Sequence, residues 1–73
     1  MPKLSRSFTF PDFPAALRFV NAVAALAEQA NHHPDIHLYY NKVTIESWTH
    51  SASAVTEKDH ALMQAIENLI PSL

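Results

Sequence analysis

The chain contains no cysteine and no glycine, and it has no long apolar run. Without cysteine it can form neither a disulfide nor a thiolate zinc site. Without glycine it cannot build the glycine-rich loop that cradles phosphate, which excludes ATP and dinucleotide folds of that kind. No apolar run approaches the roughly 20 residues that a membrane span needs. We therefore expect no membrane association and no nucleotide cofactor.

Positive charge is also scarce. Five lysines and arginines stand against seven acidic residues, for a formal net charge of -2. The absence of a basic patch predicts no direct nucleic-acid binding. The opening run MPKLSRS is too short and too polar for a signal peptide, so a cytoplasmic location is expected. Residues 1–73 are predicted to form a single domain, and a core this small favours self-association or a metal.

What the sequence does contain is a regular order of strand and helix signals. Phe8 and Phe10 are two residues apart, as on one face of a strand. Asp12 is a good helix N-cap and Pro14 suits a first helical turn. Apolar periodicity then predicts a helix from residue 13 to about residue 30. Its apolar arc is wide enough for two partners, a sheet on one side and another copy of the chain on the other. All four phenylalanines (Phe8, Phe10, Phe13 and Phe19) are predicted to lie in the core.

The second half of the chain predicts a hairpin and a second helix. Alternating residues from 35 to 50 indicate two strands joined at Asn41-Lys42, with Tyr40 on the apolar face of the first strand. Thr56 followed by Asp59 is close to a capping box and predicts the start of the last helix. The order β-α-β-β-α predicts an α+β fold, in which two helices cover one face of a short antiparallel sheet.

This topology predicts where the chemically active side chains meet. A hairpin brings the start of its first strand beside the end of its second. His32 and His33 precede the first strand and His50 ends the second, so the three imidazoles should converge. Glu28 and Asp59 lie next to the same end. Imidazoles suit proton transfer because their ordinary pKa, about 6.5, lies near neutral pH.

The run AEQANHHPDIHLYYNKVTIESWTHSASAVTEKD strongly resembles the pterin-4a-carbinolamine dehydratases. The family pattern is carried by Glu28, His32, His33, Pro34, Tyr40, His50 and Asp59, and the upstream strand and helix are similar to the family's too. The resemblance implies a member shortened at its N-terminus, without the opening helix and first strand of longer members. It implies dehydration of 4a-hydroxytetrahydrobiopterin to quinonoid dihydrobiopterin in tetrahydrobiopterin recycling, with no metal or organic cofactor.

The same resemblance implies a role for each residue of the site. His32 and His50 are expected to be the principal acid–base pair, with His33 assisting. The catalytic residues are thus His32, His33 and His50, and the substrate-binding residues are Glu28, Asn31, Pro34 and Asp59. Glu28 and Asp59 orient imidazoles or bind the polar edge of the pterin. The partners implied are a pterin substrate and further copies of the chain, as a homodimer or homotetramer.

Two other functions stay open at this stage. The chain could be a pterin-binding or protein-interaction module of the same fold with little activity. It could also bind zinc, because His33 and His37 are four residues apart and His50 offers a third ligand. Pro34 argues against zinc, since it denies that segment the helix on which such a pair sits. His37 and His60 lie off the family pattern and are predicted to be surface residues.

Overall fold

The computed structural model describes residues 3–70. It contains strands β1 (Leu4–Thr9), β2 (Asp35–Tyr39) and β3 (Lys42–Ser47), helices α1 (Phe13–Ala30) and α2 (Glu57–Glu67), and a 3-10 turn at His50–Ala52. The strands form one antiparallel sheet in the order β1-β3-β2. The predicted α+β fold and its β-α-β-β-α order are confirmed. No helix within residues 3–70 is both long enough and apolar enough to span a bilayer.

The core lies between one face of the sheet and both helices. The central strand β3 alternates, so Val43 and Ile45 are fully buried while Thr44 and Glu46 lie on the other face. The buried pair packs in one cluster with side chains of α1 and α2. The prediction that both helices cover the same face is therefore confirmed. The α1 and α2 members of the cluster are Ala16, Phe19, Val23, Leu62, Met63 and Ile66.

Both ends of α1 are closed by side chains or backbone geometry that the sequence supplies. The Asp12 carboxylate accepts a hydrogen bond from the Ala15 amide at 2.9 Å, which confirms the predicted N-cap. At the other end Asn31 is left-handed, with φ 51°, and its amide bonds the Glu28 carbonyl at 3.2 Å. The His32 amide bonds the Ala27 carbonyl at 3.1 Å, which completes a Schellman closure. The closure turns the chain sharply, so His32 leaves the helix in a fixed direction.

One of the four phenylalanines lies outside the predicted core. Phe19 is fully buried, with Phe8 and Phe10 packed on it at ring-centroid distances of 4.8 and 5.0 Å. Phe13 is 41% exposed and Leu17 is 40% exposed. The prediction that all four phenylalanines are core is therefore wrong for Phe13. A helix that is apolar on most sides does not define which side faces the sheet.

The hairpin turn lies one residue earlier than predicted. Tyr39 pairs with Lys42, so the turn is made by Tyr40 and Asn41. Tyr40 takes a φ of 49° and is 70% exposed, and it does not continue the apolar face of β2. Asn41 fastens the turn to β1: its carbonyl accepts from the Phe10 amide at 2.8 Å, and its side chain donates to the Phe10 carbonyl at 2.9 Å.

Candidate active site

The end of α1, the end of β3 and the start of α2 meet around one cavity of about 360 Å³. His32, His33 and His50 all line it, so the predicted convergence of the three imidazoles is present. The rest of the lining is Asn31, Thr49, Ser51 and Lys58. The volume falls in the range of about 300–1,000 Å³ typical of small-molecule sites.

A short closed loop delivers His50 to the cavity. The strand β3 ends at Ser47, so the prediction that it continues to His50 is too long. Thr49 and Ala54 instead form two backbone hydrogen bonds. The Thr49 amide donates to the Ala54 carbonyl at 2.9 Å, and the Ala54 amide donates to the Thr49 carbonyl at 3.3 Å. The chain between them folds into the 3-10 turn, and Ser53 closes that turn in a left-handed conformation with φ 52°. This closure holds the imidazole of His50 at the rim, where it is exposed.

Asp59 is the most enclosed polar group beside the cavity. Its side chain is fully buried and forms a capping box with Thr56, which confirms the predicted start of α2. Oδ1 accepts from Ser47 Oγ at 2.5 Å and lies 2.7 Å from His32 Nε2. Oδ2 accepts from Thr49 Oγ1 at 2.7 Å and from the Thr56 amide at 2.8 Å. Each carboxylate oxygen thus has two partners.

These hydrogen bonds decide the charge of Asp59. Burial alone raises the pKa of this carboxyl, but bonds from Ser47, His32, the Thr56 amide and Thr49 outweigh burial and hold the pKa well below its usual range. Asp59 is therefore a carboxylate at neutral pH, and a carboxylate only accepts hydrogen bonds.

The charge of Asp59 fixes the tautomer of His32. Because the carboxylate can only accept, His32 Nε2 carries a hydrogen and donates it. In the neutral ring the other nitrogen, Nδ1, then holds the lone pair that can take a proton. The negative charge of Asp59 offsets the positive charge that His32 gains on protonation, as in other carboxylate–imidazole pairs.

The other two imidazoles have looser environments. His33 Nε2 lies 2.6 Å from Glu28 Oε2, but both side chains are mostly exposed, so this pair is held weakly. His50 packs against Trp48 with ring centroids 4.2 Å apart and an interplanar angle of 45°. The cavity therefore offers one imidazole held by a buried carboxylate and one held by an aromatic contact at its rim.

Only one of the four predicted substrate-binding residues lines the cavity. Asn31 lines the cavity, whereas Glu28, Pro34 and Asp59 do not. Asp59 is fully buried and bonds His32, which is the orienting role, one of the two that were expected for it. Glu28 likewise bonds an imidazole, His33.

Sequence reasoning missed Ser47, Thr49 and Lys58. Ser47 and Thr49 continue the inward alternation of Val43 and Ile45, and both are buried. Hydroxyls at positions where an apolar series should continue are a signal of a buried polar site, and that signal was available. Lys58 gave no such signal.

The remaining histidines do not join this group. His37 Nε2 lies 2.9 Å from Glu46 on the sheet face opposite the helices, where the His37 side chain is partly exposed. His60 is exposed, so both are at the surface as predicted, and neither lines the cavity. The zinc pair considered for His33 and His37 is not formed, since each bonds its own glutamate. In the described part of the chain no three metal-ligating side chains are grouped to hold an ion.

Comparison with known proteins places this geometry in a family. The family described as "Pterin 4 alpha carbinolamine dehydratase" matches residues 1–69. The chain belongs to this family. The pterin-4-alpha-carbinolamine dehydratase resemblance of the sequence is thereby confirmed over nearly its whole length.

Individual pterin-4-alpha-carbinolamine dehydratase relatives and solved structures agree with that placement. The chain is 50% identical over 68 residues to a Chloroflexus aggregans protein provisionally named as such a dehydratase, covering 93% of this chain and 72% of the relative. A similarly named Acidobacterium capsulatum protein is 48% identical over 69 residues, covering 94% and 75%. The fold superposes on a Brucella melitensis transcriptional coactivator/pterin dehydratase with TM-score 0.88, 36% identity, and coverage of 92% and 71%.

A second solved structure shows that the fold serves another purpose elsewhere. It is a pterin dehydratase-like protein identified as a RuBisCO assembly factor in the alpha-carboxysome, with TM-score 0.80, 26% identity, and coverage of 93% and 79%. Membership of the family is therefore compatible with more than one function.

Proposed function

We propose that this chain is a hydro-lyase that dehydrates 4a-hydroxytetrahydrobiopterin to quinonoid dihydrobiopterin. The C4a–O bond breaks, the hydroxyl leaves as water after gaining a proton, and N5 loses its proton as the C4a=N5 bond forms. Atoms and charge balance without any further reactant. The observation that carries the proposal is the meeting of His32, His33 and His50 in one cavity, with His32 held by buried Asp59.

The two kinds of imidazole suit the two proton transfers. His32 presents a lone pair on Nδ1 and is oriented by Asp59, which suits removal of the N5 proton. His50 stands at the rim and suits protonation of the leaving hydroxyl, from which water can depart to solvent. His33 assists, and because its bond to Glu28 is exposed to solvent, the His33 ring is free to reorient. Asn31 is left to hold the polar edge of the pterin ring.

The proposal is tested by supplying the carbinolamine and following quinonoid dihydrobiopterin by absorbance. Wild type should accelerate dehydration strongly over buffer. His50→Ala should lower kcat about a hundredfold, because a positioned proton transfer contributes roughly a hundred- to ten-thousand-fold. The fold should survive, since His50 is exposed.

His60→Ala is the matched control, because His60 is exposed and lies outside the cavity. It should leave the rate unchanged. An unchanged rate in His50→Ala would remove His50 from the reaction, and no acceleration by wild type would contradict the proposed activity. The latter result would favour the alternative of a pterin-binding or protein-interaction module, as the RuBisCO assembly factor illustrates.

The chain is also proposed to self-associate, as a dimer or tetramer. Phe13 and Leu17 lie exposed on the side of α1 turned away from the core, where the sequence predicts a second copy. Because Phe13 and Leu17 are 41% and 40% exposed, covering each is worth less than half of the roughly 1.5–3 kcal/mol gained by burying a fully exposed side chain. Light scattering at micromolar concentration should report an oligomer, and Leu17→Glu should reduce its mass. A wild-type monomer would contradict this part of the proposal.

A further inference from the structure

Among residues 3–70, Lys58 is the one charged side chain, apart from the imidazoles, that lines the cavity. The other lining groups are the neutral Asn31, Thr49 and Ser51, and no carboxylate from the described part of the chain lines the cavity. Two carboxylates beside the cavity bond imidazoles: Asp59 is buried behind His32, and Glu28 bonds His33. Among the described lining residues, Lys58 is therefore the group placed to attract an anion.

The position of Lys58 on its helix is electrostatically unfavourable. It follows Glu57 in the first turn of α2, where the positive end of the helix dipole disfavours a cation. The residues three and four positions further on, Ala61 and Leu62, offer no carboxylate to compensate. Within residues 3–70 the ammonium forms no salt bridge. Lys58 is exposed, and a charge that opposes its local helix while lining a cavity points to a role in binding.

We infer that Lys58 selects pterins whose side chain ends in an anionic group, such as a phosphate, over pterins with a neutral polyol side chain. This inference rests on the proposed function, because the reaction requires the bicyclic ring to lie beside His32 and His50. The rest of the lining is left for the substituent on the ring, and within residues 3–70 Lys58 is the one permanent charge there. An ammonium binds phosphate as a compact point charge, and the dipole of α2 adds to its field.

The experiment compares two carbinolamines that share the same ring and carbon chain, one with a free terminal hydroxyl and one with that hydroxyl phosphorylated. Wild type should show a kcat/KM about tenfold higher for the phosphorylated form, which is the low end for a hydrogen bond to a charged group. Lys58→Gln should bring the ratio of the two values close to one. Lys58→Arg should keep the preference, and salt should weaken it, because exposed charges are screened.

Lys42→Gln is the matched control, since Lys42 is exposed on β3 next to the hairpin turn and lies outside the cavity. It should leave the ratio at its wild-type value. Equal kcat/KM for the two substrates in wild type, or an undiminished ratio in Lys58→Gln, would overturn the inference and leave the dehydratase activity standing.

Equilibrium binding separates the inference from the activity on which it rests. The fluorescence of the oxidised pterins with and without the terminal phosphate reports their affinity without any reaction. Tighter binding of the phosphorylated pterin that is lost in Lys58→Gln supports selection by Lys58 even if neither carbinolamine is dehydrated. Equal affinities in wild type would count against it whether or not the chain is a dehydratase.

Discussion

His32→Ala and Asp59→Asn should each lower kcat for dehydration about a thousandfold, and the double variant should be no slower than His32→Ala alone. Asp59 Oδ2 accepts a hydrogen bond from the Thr56 backbone amide, which can only donate. In Asp59→Asn the side-chain oxygen would therefore take the place of Oδ2, and the NH₂ group would take the place of Oδ1 and face His32. His32 Nε2 would then have to accept that hydrogen, which moves the ring hydrogen to Nδ1. The imidazole would lose the lone pair that the reaction needs.

The measurement is steady-state dehydration followed by absorbance, beside a circular-dichroism spectrum that shows the fold is kept. Glu28→Gln makes the same chemical change at the exposed partner of His33, and it should cost at most about fivefold, since exposed pairs contribute about 1 kcal/mol or less. Additive losses in the double variant would mean that Asp59 acts independently of His32. A folded Asp59→Asn protein with full activity would remove Asp59 from the site.

Asp59→Ala should lower the free energy of unfolding by about 3–5 kcal/mol, because it leaves the buried donors of Ser47, Thr49 and the Thr56 amide without their acceptor. A chain of this size is expected to have a total of only a few to about ten kcal/mol. Urea denaturation measures the difference. Asp12→Ala, which removes the exposed carboxylate that caps α1, is the control and should cost about 1 kcal/mol. Equal losses in the two variants would contradict the central place given to Asp59.

The same network makes stability depend on pH in a defined direction. The pKa of Asp59 is lower in the folded chain than in the unfolded chain, where it is near its ordinary value of about 3.9. Its contribution is therefore fully present above that value and is lost as pH falls below it. Wild type should lose stability between about pH 4 and pH 2, and Asp59→Ala should show a shallower loss over the same interval. Parallel pH profiles for the two proteins would be the contrary result.

The sequence predicted the parts of the fold that are encoded locally. The caps at Asp12 and at Thr56 with Asp59 located the starts of both helices, because each cap is a short-range hydrogen bond between neighbouring residues. The turn was placed one residue late because the structure puts a tyrosine, Tyr40, at a positive φ that glycine or asparagine usually takes. By residue type, asparagine favours a turn and tyrosine favours a strand, so the sequence predicted Asn41 in the turn and Tyr40 in the strand.

The site was predicted in outline and missed in detail for a related reason. The meeting of His32 and His50 follows from hairpin topology, which needs only the order of the strands. The sequence carries a signal that Ser47 and Thr49 are buried hydroxyls, but their bonds to Asp59 depend on which side of β3 faces the helices and on where that strand ends. Phe13 was misplaced for the same reason, since the sequence left the rotation of α1 undetermined.

The burial of Asp59 bears on how relatives of this chain should be interpreted. A side chain that joins the end of β3, the first turn of α2 and His32 is required by the architecture whether or not any chemistry takes place. A relative that has lost catalytic activity and acts as a scaffold would still need Asp59 for its fold. His50 supports nothing beyond its contact with Trp48 and would be lost first. The presence of His50, rather than of Asp59, is therefore the feature that distinguishes catalytically active relatives from inactive ones.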